Sequence, residues 1–545
     1  MHPAGRLRVP GLLTVLQTKG LQLRSKLLPA FTAIVVFAAG PTHAADNFAN
    51  IDQAGDSNSG VVTQGPGDGN NAGTELLAVR QDGDENVLNI LQSGDDNSVG
   101  TAGTGFLQTS NRSTATITQS SDGNSVGQVT QTGIDSTWEA ATLRRNVLTI
   151  LQEGGDDNAV GVVTQTRSTS PFVSSRAANS ATLTQSGEDN DIGTLIQSGY
   201  AEAATVTQTG DDNGLDRLEQ RGSSNLASIT VSGNGNGRSD FASDTNIDGA
   251  WRGLAQGQIY QNNDFFLADL ADANTLTLTV TGDSNSYGFS QIGTDNTVTG
   301  LIADGDGNQA GAVQLGISNI ASFTLDGSDN HVFIDQGRWV ANIANDAGVL
   351  ITGSGNDTGV LQSGTNNVAT VTITGGDNRV NIDQESLVLG NLAEVTIDGG
   401  DNGVTLTQAN NNSATVRITG SSNQLVASQD GLGNTLTLTV WGSGNNALNS
   451  SFSGVALATS LLTTPDLVPG RIAQTGAGNS ILYDVGTSTE PADGNRFAFS
   501  QIGTGNQIVG STKGSNNQVV IVQNGASNFT SFSQNGIGNI IGVSQ

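Results

Sequence analysis

Short runs in which apolar and polar residues alternate recur along nearly the whole chain. Asn434 to Val440 reads NTLTLTV, with Leu436, Leu438 and Val440 on one face and Thr435, Thr437 and Thr439 on the other. Between Asn285 and Gln291 the first face carries Tyr287 and Phe289, and between Asn402 and Gln408 it carries Val404 and Leu406. A period of two is the mark of a strand, because successive side chains leave opposite faces, whereas a helical period would scatter them. Counting by twos also puts the Asn that opens each run and the Gln that closes it on the apolar face. Between the runs lie turns such as SGDDN, TGDDN, IGTDN and SGTNN. Their Gly, Asp and Asn tolerate positive φ and close tight corners.

The runs repeat at a fixed spacing. At the C-terminus NQVVIVQ, NFTSFSQ and NIIGVSQ place Gln523, Gln534 and Gln545 11 residues apart, and Asn517, Asn528 and Asn539 likewise. The same frame leads from Asn47 to Gln53, Asn58 to Gln64, Asn330 to Gln336, Asn378 to Gln384 and Asn423 to Gln429, while Val280 and Val440 stand where other units have Gln. Two 11-residue half-repeats make a coil of about 22 residues. An all-β chain of stacked strand-turn-strand coils, a β-solenoid, is therefore predicted.

Inward amides need a reason. A buried amide without hydrogen-bond partners costs about 1–3 kcal/mol. Stacked in register, each one can donate to its equivalent in the next coil. The candidate ladder residues are Asn47, Gln53, Asn285, Gln291, Asn402, Gln408, Asn517, Gln523, Asn528, Gln534, Asn539 and Gln545.

Composition agrees with a thin, repetitive sheet. The 545 residues include 73 Gly, no Cys and only 4% aromatics, yet 35% are hydrophobic. Residues 1–45 read as an export signal: Arg6, Arg8, Lys19, Arg24 and Lys26, then an apolar run from Leu27 to Ala39, then Thr42, His43 and Ala44 at a cleavage site. That run is too short to span a bilayer, no later segment is longer, and a secreted, extracellular or cell-surface location is expected. Without the leader, 16 basic side chains face 50 acidic ones, a net charge of −34. Such a polyanion repels nucleic acid and anionic lipid. Residues 46–545 are expected to form one elongated domain. Loop insertions near 134–145, 166–178, 237–273, 451–471 and 484–495 hold Trp138, Trp251, Pro171, Pro465, Pro469 and Pro491 and are expected to leave the solenoid at its corners.

Little in the chain points to catalysis. His331 is the one His beyond the leader, on an outward strand position, and with no Cys the usual thiol, His-based and zinc constellations cannot be built. No enzyme activity and no cofactor are expected. Asp304, Asp306 and Asn308 begin like an EF-hand loop, but Gln309 and Leu315 stand where Gly and Glu are required. The acidic corners Asp95-Asp96, Asp156-Asp157, Glu188-Asp189 and Asp211-Asp212 are read first as gatekeepers against premature aggregation, with calcium or proton control of assembly as the alternative. Outward Thr rows beginning at Thr182, Thr205, Thr275, Thr370 and Thr435 are read as ordinary strand surface, with ice binding as the alternative.

The frame N-x-Ψ-x-Ψ-x-Q-x-G-x-x-N, as in NSYGFSQIGTDN and NFTSFSQNGIGN, resembles the curlin repeat of bacterial curli subunits. The resemblance implies an extracellular, amyloid-like cross-β fibre that supports biofilm matrix and adhesion. The chain is several times longer than a typical subunit and has no separate non-repeat targeting segment after the leader. Framed half-units at both extremes leave no room for caps, so self-association head to tail is expected. Related repeat subunits and a secretion machinery are the other partners it implies. A monomeric or surface-held adhesin is the competing reading.

Overall fold

In the computed structural model, residues 32–37, 46–133, 146–167, 178–241, 254–263, 273–337, 342–462 and 467–545 are described. They form an all-β parallel solenoid with one short helix. The chain alternates between two parallel sheets. Sheet 1 has 19 strands, from Thr32–Phe37 and Ser59–Gln64 to Phe529–Asn535. Sheet 2 runs from Phe48–Ala49 and Ile51–Ala54 to Ile540–Ser544. Neighbouring strands pair residue for equivalent residue, Leu436 beside Ile481 in sheet 1 and Val404 beside Leu425 in sheet 2.

The coil length varies while the register does not. Equivalent Asn residues lie 22 apart at Asn274 and Asn296, 23 apart at Asn296 and Asn319, and 49 apart at Asn236 and Asn285, where a long insertion intervenes. Insertions at corners lengthen the average coil beyond the repeat of the uninterrupted units.

Inward side chains of both sheets merge into one core, continuous from Ala49 to Ile521. Because coils stack closely, side-chain volume must balance along the axis. Gly300 sits under the Phe323 ring and Gly510 under the Phe532 ring, and a Cβ on either would lie 2.2 or 2.1 Å from ring carbon. Tyr483 and Phe499 meet edge-on at 4.9 Å, and the Tyr483 hydroxyl donates to Thr512 Oγ1 at 2.8 Å. Burial raises the Tyr287 and Tyr483 phenols above their ordinary value, so both remain protonated donors.

Corners are tighter still. In the column Gly353, Gly375 and Gly399, φ lies between +125° and +143°, and a Cβ on any of them would fall within 2.0 Å of the next coil's carbonyl oxygen. In this column the Gly, two residues after Ile351, Ile373 or Ile397, is therefore required twice over, by its φ and by the stacking.

Several stretches read as insertions have structure. Gln258–Asn262 is a strand of sheet 2, paired with the strands on either side. Phe241 and Leu254 pack on Phe333 at the outer face of that sheet, and residues 242–253 between them lie outside the described residues. In the 451–471 stretch a helix, α1 (Gly454–Ser460), lies against the same outer face near the C-terminus. Phe452, Ala456 and Leu467 cover Ala498, Val520 and Val522, and Gln518 exchanges hydrogen bonds of 2.7 and 2.8 Å with Ser453. These outward positions are apolar, which is why the segment packs down instead of projecting. In 484–495, Asp484 and Val485 end a strand and Asn495 joins an Asn ladder. Residues 134–145, and most of 166–178, lie outside the described residues.

Thr32–Phe37, inside the stretch read as an export signal, pairs with Ser59–Gln64 as an added parallel strand, Phe37 opposite Gln64. The remainder of 1–45 lies outside the described residues.

Gly399→Ala is expected to destabilise the fold by roughly 1–3 kcal/mol, from backbone strain plus the carbonyl clash. Gly433→Ala, also at positive φ but with open space around its Cβ, is expected to suffer the strain alone. Thermal melts of the two variants check the difference.

Candidate functional site

The polar groups that the fold brings together are amides, and they run the length of the core. In sheet 2 the ladder is unbroken from Gln53 through Gln81, Gln108 and Gln131 to Gln523 and Gln545. At each rung Nε2 donates to the Oε1 of the next coil. Gln291 is representative: its amide donates to Gln314 Oε1 at 3.0 Å and to the backbone carbonyls of Thr275 and Asn296 at 2.9 and 3.0 Å. The ladder continues through the longest insertions, Gln220 to Gln261 at 2.8 Å and Gln429 to Gln474 at 2.9 Å. Gln408 donates to Gln429.

Sheet 1 behaves differently. Gln64, Gln92, Gln119, Gln152, Gln185 and Gln208 form one ladder, and then Val231, Val280 and a column of aliphatic residues through Val440 and Val485 take over the position. Gln534 lies at the far end of that column. It accepts from Thr512 Oγ1 and donates to the Gln518 carbonyl, and no Gln–Gln rung forms there.

The Asn ladders point the other way. Asn285 donates its backbone N–H and Nδ2 to Asn236 Oδ1 at 2.9 and 3.0 Å, then accepts both from Asn308. Asn402 and Asn517 repeat this pattern toward Asn378 and Asn495. Asn528 and Asn539 bond back to Asn506 and Asn517 through their backbone N–H groups. Asn47, half-buried, accepts from Asn70 N–H and donates to the Gly67 carbonyl. Glu202 replaces Asn in one rung and accepts the Asn225 N–H at 2.9 Å.

The acidic corners hold a third ladder that spacing alone did not reveal. Asp95 Oδ1 accepts the Asp68 N–H at 2.7 Å, while the Asp95 N–H donates to Asp122 Oδ1 at 2.7 Å. Asp211 Oδ1 accepts from Glu188 in the same way. In each pair the first acid bonds the adjoining coil, and the second (Asp96, Asp157, Asp189 or Asp212) has φ near +57° and makes the turn. Among the described residues no group of three or more His, Cys, Asp or Glu is gathered to hold a metal ion. His331 is part-buried on the outer face of sheet 2, with Nδ1 2.9 Å from Asp357 Oδ1, and Arg379 3.6 Å from the same carboxylate.

Two carboxyls are displaced from their ordinary range. Burial raises Asp346, and burial outweighs the nearby Arg238 to raise Asp191, helped by Asp216. A raised folded pKa means that ionisation opposes folding. Their penalty is absent at acid pH and appears as pH climbs from the ordinary carboxylate value through the raised one.

Ladder polarity gives the two extremes complementary chemistry. Among the described residues, Gln64 Oε1 is buried at the N-terminal side without a hydrogen-bond partner. At the other side Gln545 and Asn539 are exposed. Gln residues there donate outward and Asn residues accept, while the first coil offers Gln acceptors and Asn donors.

Against known families, the model of the curlin-associated repeat matches residues 353–385. Over that stretch the chain is similar to the curlin-associated repeat. The matched stretch contains the rungs Asn356, Gln362, Asn367, Asn378 and Gln384, all buried at 0–1% exposure, so the curlin frame and the ladder positions coincide. No curated protein matches the chain. The curlin frame is blind to Gln261, which has no Asn six residues before it; the alternation of QIYQN is the signal that finds it. Among the described residues no helix is long and apolar enough to cross a membrane.

Gln336→Ala removes one rung and leaves Gln314 Nε2 and Gln362 Oε1 facing a void. A loss of about 1–3 kcal/mol is expected, whereas Gln545→Ala at the exposed end is expected to change little. Denaturant titration of the two variants measures this.

Proposed function

We propose that the chain is a non-enzymatic structural subunit of extracellular curli-like fibres that support matrix and adhesion. The carrying observation is the polarity of the ladders, with the buried Gln64 Oε1, unpartnered among the described residues, at one side and exposed Gln and Asn amides at the other. A second copy stacked head to tail satisfies both sets with the bonds used inside the chain, and such a contact does not close on itself. The curlin-repeat match and the solenoid fit a structural or surface protein. Residues 1–45 serve in this reading as an export signal. Their removal also uncovers the Ser59–Gln64 edge, against which Thr32–Phe37 otherwise pairs.

The chain without residues 1–45, diluted from denaturant, is expected to form unbranched fibres with a meridional reflection near 4.8 Å. The chain that retains them is expected to elongate more slowly. A processed chain that stays monodisperse by light scattering favours the lone adhesin and ends the fibre proposal.

A further inference from the structure

The outer face of sheet 1 has a property that neither stacking nor fibre growth requires. Two of its columns are built largely of Thr. Thr116 and Thr118, Thr182 and Thr184, and Thr205 and Thr207 occupy the same two positions on successive or near-successive strands. The pairing repeats at Thr277 and Thr279, at Thr370 and Thr372, and at Thr437 and Thr439. Ser228 and Ser322 fill the first column in two of the coils between, and Gly348 and Glu394 interrupt it.

The parallel pairing fixes the geometry. Within a strand, the two columns stand two residues apart, about 6.6 Å, and along the axis each repeats about every 4.8 Å. Thr is branched at Cβ and rotamerically stiff, so each position presents one methyl and one hydroxyl at a nearly fixed place. The result, interrupted in the second column by Leu151, Leu301, Leu350 and Arg417, is a rigid two-dimensional array made largely of hydroxyls, with repeats comparable to the oxygen spacings of crystalline water.

The surroundings favour water over other ligands. From Thr116 to Thr439 the two columns contain only one acid and one base, Glu394 and Arg417, and these pair with each other at 3.3 Å. A chain with a net charge of −29 thus keeps these two columns nearly free of charge, the acids Glu153, Asp326, Asp346 and Asp398 standing at the margins of the face. No aromatic side chain stands in these columns to stack on a sugar ring. Thr205, Thr230, Thr277, Thr370 and Thr437 are exposed. The described insertions that pack down, at Phe241 and Leu254 and at α1, both cover sheet 2.

We propose that the outer face of sheet 1 is an ice-binding surface, with the Thr lattice as its template. The proposal concerns one coil stack and holds whether or not copies assemble end to end.

The test grows a single ice crystal in a solution of the full chain, in a nanolitre osmometer, and reads thermal hysteresis and crystal shape. Faceted crystals and a gap between melting and growth temperatures are expected. The double variant Thr205→Lys, Thr277→Lys interrupts the first column with two charges and is expected to lose most of the gap. Thr405→Lys, Thr407→Lys makes the same change on the outer face of sheet 2 and is expected to keep it, while circular dichroism verifies that each variant is folded. Round, unfaceted crystals with no gap for the unaltered chain, or an undiminished gap in the folded sheet 1 variant, overturn the proposal.

Discussion

A side-chain amide removed from water must find a donor and an acceptor, and in this chain it finds both in its own equivalent one coil away. That requirement organises the molecule. Gln291 bonds to Gln314 only if the strands carrying them are parallel, adjacent and aligned residue for residue. A slip of one residue would turn the ladder Gln residues outward and the outer Thr residues inward. Aliphatic residues in the same column, as at Val280 and Val440, bury equally well but do not distinguish one register from another. Sheet 2, which keeps Gln from Gln53 to Gln545, therefore pins the stacking, and sheet 1, aliphatic through its middle, follows it.

Much of this was legible in the sequence because the repeat states each element twice, once as a period of two and again as a period of 11. The alternation in NTLTLTV fixes a strand and its inner face, and Q-x-G-x-x-N fixes the corner. What was not legible came from contacts between coils. The corner Asp residues look alike in sequence, yet Asp95 bonds the adjoining coil while Asp96 makes the turn at positive φ. Gln261 was obscured by the absence of its Asn frame, and the 451–471 segment gives no sign that Ala498, Val520 and Val522 await it on the outer face. Gln534 shows the opposite failure, a framed Gln whose neighbour is Thr512.

The two sheets share a core but differ outside. Sheet 2 carries the charged clusters and the packed insertions, including Glu219 between Arg217 and Arg221, and His331, Asp357 and Arg379. Sheet 1 presents Thr in long neutral columns. Register set by buried amides is what makes this possible, since an outer column is only as regular as the inner one that aligns it.

Hydrogen exchange of the Gln side-chain amides tests this dependence most directly. In the Gln-labelled chain, the Nε2 protons of Gln314, Gln336 and Gln362 should be protected to the same degree as the backbone amides of their strands. Rapid exchange of those side chains beneath a protected backbone would mean that the sheets hold their register without the ladder, and would contradict the account.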